Sequence, residues 1–227
     1  MSNEQLPTRE AFFDRIRKAL GPRPAETPAP PAVDDALVRL ASTDDDVVGL
    51  FATNLEALGG SVRRCAADQL NDTLTALLAE LQAKRVLLSV DRLPQAKAIG
   101  EALRSAGIEL APWRDDPAMA HGYDADAGIT DVHAALAETG TLICTSDADH
   151  GRGASLVPPI HIAIVRASDV LPDLLDYLPR WRGVAPVELP SAQALITGPS
   201  KTADIEGILI TGVHGPGQVI AIVVEDA

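Results

Sequence analysis

The chain is poor in cysteine and in aromatic residues. It contains two cysteines, Cys65 and Cys144, and only 3% of its residues are Phe, Trp or Tyr. Two distant thiols without a C-x-x-C pair cannot assemble an iron–sulfur cluster or a cysteine-rich zinc site within one chain. Few aromatic rings leave little surface on which nucleic-acid bases could stack. Both cysteines are therefore expected to be buried thiols in strands.

Positive charge and long apolar runs are also scarce. There are 19 Lys and Arg residues against 32 Asp and Glu, and the formal net charge is −13. This excess opposes attraction to phosphate backbones and anionic membrane surfaces. The longest apolar runs, such as Val219–Val224, have the length of strands, and the polar amino terminus is not followed by a secretory hydrophobic region. We expect no nucleic-acid partner, no membrane insertion and a cytoplasmic location.

The histidines show no metal-binding spacing. No two of the five form an H-x-x-x-H pair, and none adjoins a recognisable third ligand. They are His121, His133, His150, His161 and His214. The polar loop Ser146–Ser155 contains a D-x-D spacing but lacks the remaining positions of an EF-hand, so we interpret it as a mobile, solvated loop over a cleft. The sequence predicts no metal site and no cofactor bound by this chain.

Composition divides the chain into three parts. Residues 1–20 contain an amphipathic helix over Thr8–Leu20, which either packs on the parent domain or docks a partner. Residues 21–33 contain five prolines and predict an extended linker. Residues 34–227 predict a single α/β domain.

Helical and strand patterns alternate in that domain. Helices are predicted at about 35–58, 71–81, 94–106, 131–139 and 170–178, and strands at about 61–65, 85–90, 108–111, 141–145, 160–165, 192–197 and 218–224. Alternation at these lengths predicts an α/β fold with an open, mostly parallel, doubly wound sheet.

The densest group of polar residues lies between the last two predicted strands. Ser200, Lys201 and Thr202 follow a Gly-Pro turn and offer hydroxyls, an ammonium and backbone N–H groups at a predicted helix start, which is a plausible cradle for an anion. The same two hydroxyls would also serve as helix caps. Asp204 and Glu206 come next, where negative charge near a helix start is favourable.

Other known phosphate-binding patterns do not fit this region. The spacing fails the Walker A pattern, and no G-x-G-x-x-G follows a strand. Further along, His214 lies between Gly212 and Gly215, where the backbone can approach a ligand closely and the imidazole can titrate near neutral pH.

Two earlier segments also carry candidate residues. Glu138 precedes Thr139 and Gly140 at a predicted helix-to-strand junction, and it is either a group with a perturbed pKa or a solvated glutamate. Ser155 and His161 flank a Pro-Pro pair that enters a strand. We interpret His161 as a core histidine in preference to a ligand contact, because it alternates with isoleucines.

Taken in order, four motifs resemble one family. They are A-E-T-G-T at 137–141, S-L-V-P-P-I-H at 155–161, G-P-S-K-T-A-D-I-E at 198–206 and G-V-H-G-P at 212–216. Together they resemble the lactate-utilisation protein C family, the stand-alone LUD domain, from about Gly128 to the carboxyl terminus. The resemblance implies a fold like that of the NagB/RpiA/CoA-transferase group, with a cleft at the carboxyl ends of the strands.

The resemblance also implies a function. The family is associated with a three-component, iron–sulfur-dependent system that oxidises L-lactate to pyruvate. With two cysteines, this chain is expected to be an accessory or substrate-handling subunit whose partners are the iron–sulfur proteins of the system. It would bind a small carboxylate, with Lys201 and nearby amides holding the anion and His214 exchanging a proton.

The expected site is as follows. Glu138 and His214 are the candidate catalytic residues. The expected substrate contacts are Thr139, Gly140, Ser200, Lys201, Thr202, Asp204, Glu206, Gly212 and Gly215, with Ser155 and His161 as further candidates. Two alternatives stay open: an independent acyl- or CoA-transferase-like enzyme that uses Glu138 as acyl acceptor, and a sensor of small carboxylates.

Overall fold

The computed structural model describes residues 8–22, 34, 37–112, 120–147, 150–205 and 207–225. The chain forms two compact units, residues 1–37 and 38–227. In the first unit, helix α1 (Arg9–Leu20) begins after Thr8, whose hydroxyl accepts the N–H of Ala11. Apart from Gly21 and Pro22, the predicted linker over residues 21–33 lies outside the described residues.

The second unit is built on a six-stranded parallel sheet, so the predicted α/β fold is confirmed. The strands of the unit are β1 (Ser61–Ala66), β2 (Arg85–Ser89), β3 (Glu109–Pro112), β4 (Ala127–Asp131), β5 (Ala134–Leu136), β6 (Thr141–Ser146), β7 (Ile160–Arg166), β8 (Val170–Leu171), β9 (Ala192–Ile196), β10 (Lys201–Ile205), β11 (Ile208–Thr211) and β12 (Gln218–Glu225). Its helices are α2 (Val47–Ala57), α3 (Leu70–Glu80), α4 (Ala96–Ser105), α5 (Ala120–Tyr123), α6 (Gly153–Leu156) and α7 (Leu174–Tyr177). The strand order of the large sheet is β1-β12-β7-β4-β2-β3.

Alternating side chains of the central strands supply two apolar clusters. On β7, Ile162 and Ile164 join the cluster that contains the buried leucines of α3 and α4. Ala163 and Val165 join the other cluster, together with Phe51 of α2. Residues two apart on a strand point to the same face of the sheet, because successive side chains of a strand alternate between the two faces. Helices α3 and α4 therefore cover one face of the sheet, and α2 covers the other.

A second, smaller sheet also lies on the α2 face. Its order is β8-β5-β6-β9, and β6 is antiparallel to both of its neighbours. The predicted helix over 131–139 is wrong, because β5 occupies this segment. Ala135 packs into the cluster of Phe51, whereas Ala134 and Leu136 pack against Tyr177. A run buried on both sides has no polar face, and its apolar pattern alone does not distinguish a helix from a strand.

Two other predicted helices are shorter than expected. The helix predicted from residue 35 begins only at Val47, where the Asp46 carboxylate caps it by accepting the N–H of Gly49. The helix predicted over 170–178 is replaced by β8 and the short α7. Asp173 caps α7 by accepting the N–H groups of Leu175 and Asp176.

The order of the large sheet creates a switch point between β2 and β4. From β2 the chain passes through α4 to β3 at one edge, whereas from β4 it proceeds to β7 and then towards β12 on the other side. Adjacent strands whose connections leave in opposite directions bound a crevice at their carboxyl ends, and ligands of open α/β sheets bind in such crevices.

Within the part of the chain that the structure describes, no helix combines the length and the apolar composition that a membrane span requires.

Candidate functional site

A polar cleft lies at the carboxyl ends of β2 and β4, at the switch point. We call it the switch-point cleft. It is lined by Ser89, Arg92, Thr130, Asp131, Cys144, Thr145, Ser146, His150, Gly151, Arg152, Ser155 and Ala194. Its enclosed volume is about 10 Å³, which is room for about one water-sized species. A larger ligand could place only one or two atoms inside.

Asp131, the last residue of β4, joins the two strand ends. Its side chain is fully buried. Oδ2 accepts the backbone N–H groups of Asp91 (3.0 Å) and Arg92 (2.7 Å), and Oδ1 accepts Nη1 of Arg92 (3.1 Å). These bonds fix the carboxylate in place, because all of its donors sit on the segment that follows β2.

His150 enters the cleft from the loop after β6. Its side chain is 9% exposed, and its Nδ1 lies 2.8 Å from Oδ1 of Asp147, which also accepts the backbone N–H of His150. On the other side of the ring, Nε2 contacts Oδ1 of Asp91 and lies 3.6 Å from Oδ1 of Asp131. Nε2 nevertheless makes no hydrogen bond.

Three of these side chains could hold a metal ion. Asp91, Asp131 and His150 each offer one ligand atom, and these atoms lie within 4.8 Å of one another. Arg92 borders the group: its Nη2 donates to Oγ1 of Thr145 (2.9 Å) and to Oδ2 of Asp147 (3.0 Å).

Beneath the cleft lies a buried histidine. His161 is fully buried, and its Nε2 lies 2.9 Å from Oγ1 of Thr130. Burial lowers the pKa of His161 to about 4, so the ring is neutral at neutral pH. Burial also raises the pKa of the Cys144 thiol to about 12. The interpretation of His161 as a core residue agrees with this burial.

The segment expected to hold the anion has a different structure from the predicted one. The predicted helix start at Ser200 is wrong, because β10 begins at Lys201 and pairs with β11 as a hairpin. Gly207, with φ +72°, lies in the turn between the two strands. The N–H of Ser200 donates to the carbonyl of Pro216 (2.9 Å), so it does not point from a helix N-terminus at a ligand.

The remaining residues of this segment are distributed along the hairpin. Thr202 pairs with Ile210 in the ladder, Asp204 lies on β10, and Glu206 lies outside the described residues. Whether any of them contacts a substrate stays a prediction.

His214 lies at the opposite end of the sheet from the switch-point cleft. Residues 212–217 immediately precede β12, and β12 is parallel to β4, so they lie at the amino ends of the strands. The exposed His214 borders a separate cavity of about 390 Å³. The other residues around this cavity are Tyr123, Leu156, Val157, Pro159, Gly212, Val213 and Gly215.

The turn that carries Glu138 packs against the C-terminal half of α2. Nδ2 of Asn54 donates to the carbonyls of Ala137 (2.8 Å) and Glu138 (3.0 Å). Gly140 has φ +62°, and a Cβ there would lie 2.3 Å from the backbone nitrogen of Leu55. The glycine therefore permits close contact with the helix, and Glu138 is not among the residues that line the switch-point cleft.

Lys201 and Thr139 belong to the same region. Nζ of Lys201 donates to the carbonyl of Leu58, the C-cap of α2, at 2.6 Å. Oγ1 of Thr139 lies 2.7 Å from Oγ1 of Thr141, which lies 2.8 Å from Oγ1 of Thr197. The turn that carries Glu138 and the side chain of Lys201 thus both contact the C-terminal part of α2, away from the carboxyl-end cleft. Whether they share one site stays a prediction.

Sequence reasoning missed most of the switch-point cleft. Among the predicted site residues, only Ser155 lines it, and its hydroxyl donates to the carbonyl of Arg152 (3.1 Å). The loop Ser146–Ser155 does border a cleft, as predicted, but several of its side chains are buried in the site and are not solvated. Polar residues directly after the strand patterns of β2 and β4 were the available signal for Asp91, Arg92 and Asp131.

Comparison with known proteins identifies the family of the chain. A sequence profile of the LUD domain matches residues 48–224. The chain belongs to the LUD domain family. It is 28% identical to "Lactate utilization protein C" of Halalkalibacterium halodurans, over 97% of this chain and 99% of that protein. It is 30% identical to "Lactate utilization protein C 1" of Bacillus mycoides, over 97% of this chain and 98% of that protein.

A solved structure has the same fold as this LUD domain. A DUF162 family protein from Deinococcus radiodurans superposes with a TM-score of 0.57 at 22% identity, covering 78% of this chain and 96% of the other. At that identity the likeness supports the fold alone. The α/β architecture expected from the motifs is confirmed.

Proposed function

We propose that this LUD domain protein is a substrate-handling subunit of a system that oxidises L-lactate to pyruvate. The observation that carries the proposal is its similarity, over 97% of its length, to proteins named for lactate utilisation. The match spans almost the whole of those relatives, so the likeness is not confined to one shared segment.

In this proposal, iron–sulfur proteins of the same system carry the electrons. Iron–sulfur clusters are held mainly by cysteine thiolates, usually four of them. This chain offers two thiols, both buried, and the pKa of each is raised by burial. Two unpaired cysteines are also typical of a reducing compartment, which supports a cytoplasmic location.

The switch-point cleft is the proposed place for the small carboxylate. Arg92 and Arg152 bring guanidinium groups to its lining, and Thr145 and Ser146 bring hydroxyls. Guanidinium groups bind carboxylates with two parallel hydrogen bonds. Because the enclosed volume is small, the ligand would lie at the mouth with its oxygens pointing inwards. The second proposed place is the region of Lys201 and His214 at the amino ends of the strands.

Growth on L-lactate tests both the proposed function and the proposed position of the ligand. The gene is deleted in the native organism, and the parent chain or a variant is returned. We expect the deletion strain to lose growth on L-lactate and the parent chain to restore it. Arg152→Lys should restore growth poorly, because lysine cannot form the bidentate contact, whereas the guanidinium of Arg92 is already bonded to Asp131, Thr145 and Asp147. Arg64→Lys is the matched control, since Arg64 pairs with Glu225 on the surface at the edge strand β1.

Two results would overturn different parts of the proposal. Unimpaired growth of the deletion strain on L-lactate would refute the function. Full rescue by Arg152→Lys, together with failure of the double variant Lys201→Ala, His214→Ala, would keep the function and move the ligand to the amino ends of the strands.

A further inference from the structure

We infer that Asp91, Asp131 and His150 form a binding site for one divalent transition-metal ion in the switch-point cleft. The sequence spacing predicts no such site, because its three residues come from three separate segments. The inference adds a metal to the cleft of the proposed function, but it stands on side-chain geometry and does not require that lactate be the ligand.

The orientation of His150 is the first argument. An ionised carboxylate only accepts hydrogen bonds, so the contact between Nδ1 and Asp147 places the ring hydrogen on Nδ1. Nε2, which carries no hydrogen in this tautomer, then presents its lone pair to the carboxylates of Asp91 and Asp131. A histidine whose second nitrogen is held by a carboxylate is the usual arrangement of a metal ligand.

The burial of Nε2 is the second argument. A polar atom this deeply buried normally has a hydrogen-bond partner, and a buried atom without one calls for an explanation. Nε2 of His150 has none, although the side chain is more than nine-tenths buried and its neighbours are carboxylate oxygens. Two groups that only accept cannot bond to each other directly, whereas a cation between them satisfies both.

The local charge is the third argument. Asp91, Asp131 and Asp147 bring three carboxylates to the His150 ring, and Arg92 contacts the carboxylates of Asp131 and Asp147. These carboxylates outnumber the two arginines that line the cleft, Arg92 and Arg152, and a cation bound among them would reduce the excess of negative charge. Buried charge is costly unless it is paired, so neutralisation favours binding.

The size of the cleft and its donors select the kind of ion. The enclosed volume of about 10 Å³ suits a single ion. One imidazole and two carboxylates suit Mn²⁺, Fe²⁺, Co²⁺ or Zn²⁺, whereas Ca²⁺ and Mg²⁺ prefer oxygen ligands alone. Three protein ligands leave coordination positions open towards the mouth, where the hydroxyl and one carboxylate oxygen of a 2-hydroxy acid could bind.

Isothermal titration of the full-length chain with Zn²⁺, after removal of metal with a chelator, tests the site. We expect one Zn²⁺ per chain. Asp91→Asn and His150→Gln should each weaken binding by roughly tenfold or more. Asp147→Asn should weaken it by roughly tenfold, because Asp147 orients His150 without being a ligand itself. Asp72→Asn on the surface of α3 is the matched control and should bind Zn²⁺ like the parent.

Asp91→Asn keeps the test decisive if His150→Gln does not fold, because the Asp91 side chain is 43% exposed and its replacement leaves the buried bonds of Asp131 in place. Equal Zn²⁺ affinity in the parent and Asp91→Asn, or no stoichiometric binding, would overturn the inference. Repeating the titration with L-lactate separates the two proposals. Zn²⁺ binding with no effect of lactate supports only the metal site, and lactate binding without metal supports only the proposed function.

Discussion

At the residue scale, Gly140 is the clearest case of a residue required by close packing. Its φ of +62° is unfavourable for other residues, and a Cβ would meet the backbone of α2 at 2.3 Å. We predict that Gly140→Ala lowers the free energy of unfolding by about 2–4 kcal/mol. Urea denaturation measures it. Gly107→Ala is the control: φ is +81° there, but a Cβ would have open space, so the loss should be about 1 kcal/mol.

His161 makes stability depend on pH. Burial lowers its pKa from 6.5 to about 4, so between these values the unfolded chain binds more protons than the folded one. The free energy of unfolding should therefore fall as the pH drops through this window, by roughly 3 kcal/mol in total from this group. Urea denaturation at pH 7 and pH 4.5 checks the effect. His161→Gln should show a smaller fall than the parent, and an equal fall would show that another group is responsible.

The residues of the switch-point cleft were hard to predict for a physical reason. Asp91, Asp131 and His150 are separated by long stretches of sequence. The parallel order of β2 and β4 brings the two aspartates together, and the loop after β6, a strand of the second sheet, adds His150. An aspartate that follows a strand is common in loops, so its position in the sequence does not by itself indicate a site. By contrast, Glu138 and Lys201 are expected in one site because their motifs resemble a family, and each contacts the C-terminal part of α2, Glu138 through Asn54 and Lys201 through Leu58.

At the element scale, α2 anchors the turn that carries Glu138. Asn54→Ala would remove the side-chain donor of the Ala137 and Glu138 carbonyls, and it would leave the fully buried Ala137 carbonyl with only the long bond from the N–H of Gly140 (3.4 Å). We predict a loss of about 1–3 kcal/mol in the free energy of unfolding, measured by urea denaturation. Thr53→Ala is the control on the same helix, because Thr53 is exposed and bonds only within the helix. A similar loss in both variants would contradict the anchoring role.

Strands of the central sheet were predictable, whereas the added elements were not. The runs that became β2, β7 and β12 are apolar and have the length of strands, which favours buried parallel strands. The run 134–137 is also apolar, but its neighbours in the fold decide that it is a strand. At 201–211, the Gly207 turn between two strand-length segments was the signal for a hairpin, and the polar residues before it favoured the wrong prediction of a helix.

At the scale of the whole molecule, the two polar regions lie at opposite ends of one parallel sheet. The switch-point cleft lies at the carboxyl ends of the strands, and the group of Lys201 and His214 lies at the amino ends. The proposed function assigns the ligand to the first region and the electrons to other chains. It therefore requires that this protein act in a complex.

Purification of the tagged chain from its native organism, grown on L-lactate, tests that requirement most directly. Bound proteins are identified by mass spectrometry, and the eluate is assayed for conversion of L-lactate to pyruvate. The proposed function predicts co-purification of cysteine-rich iron–sulfur proteins together with this activity. A chain that purifies alone and without activity from cells growing on L-lactate would contradict it.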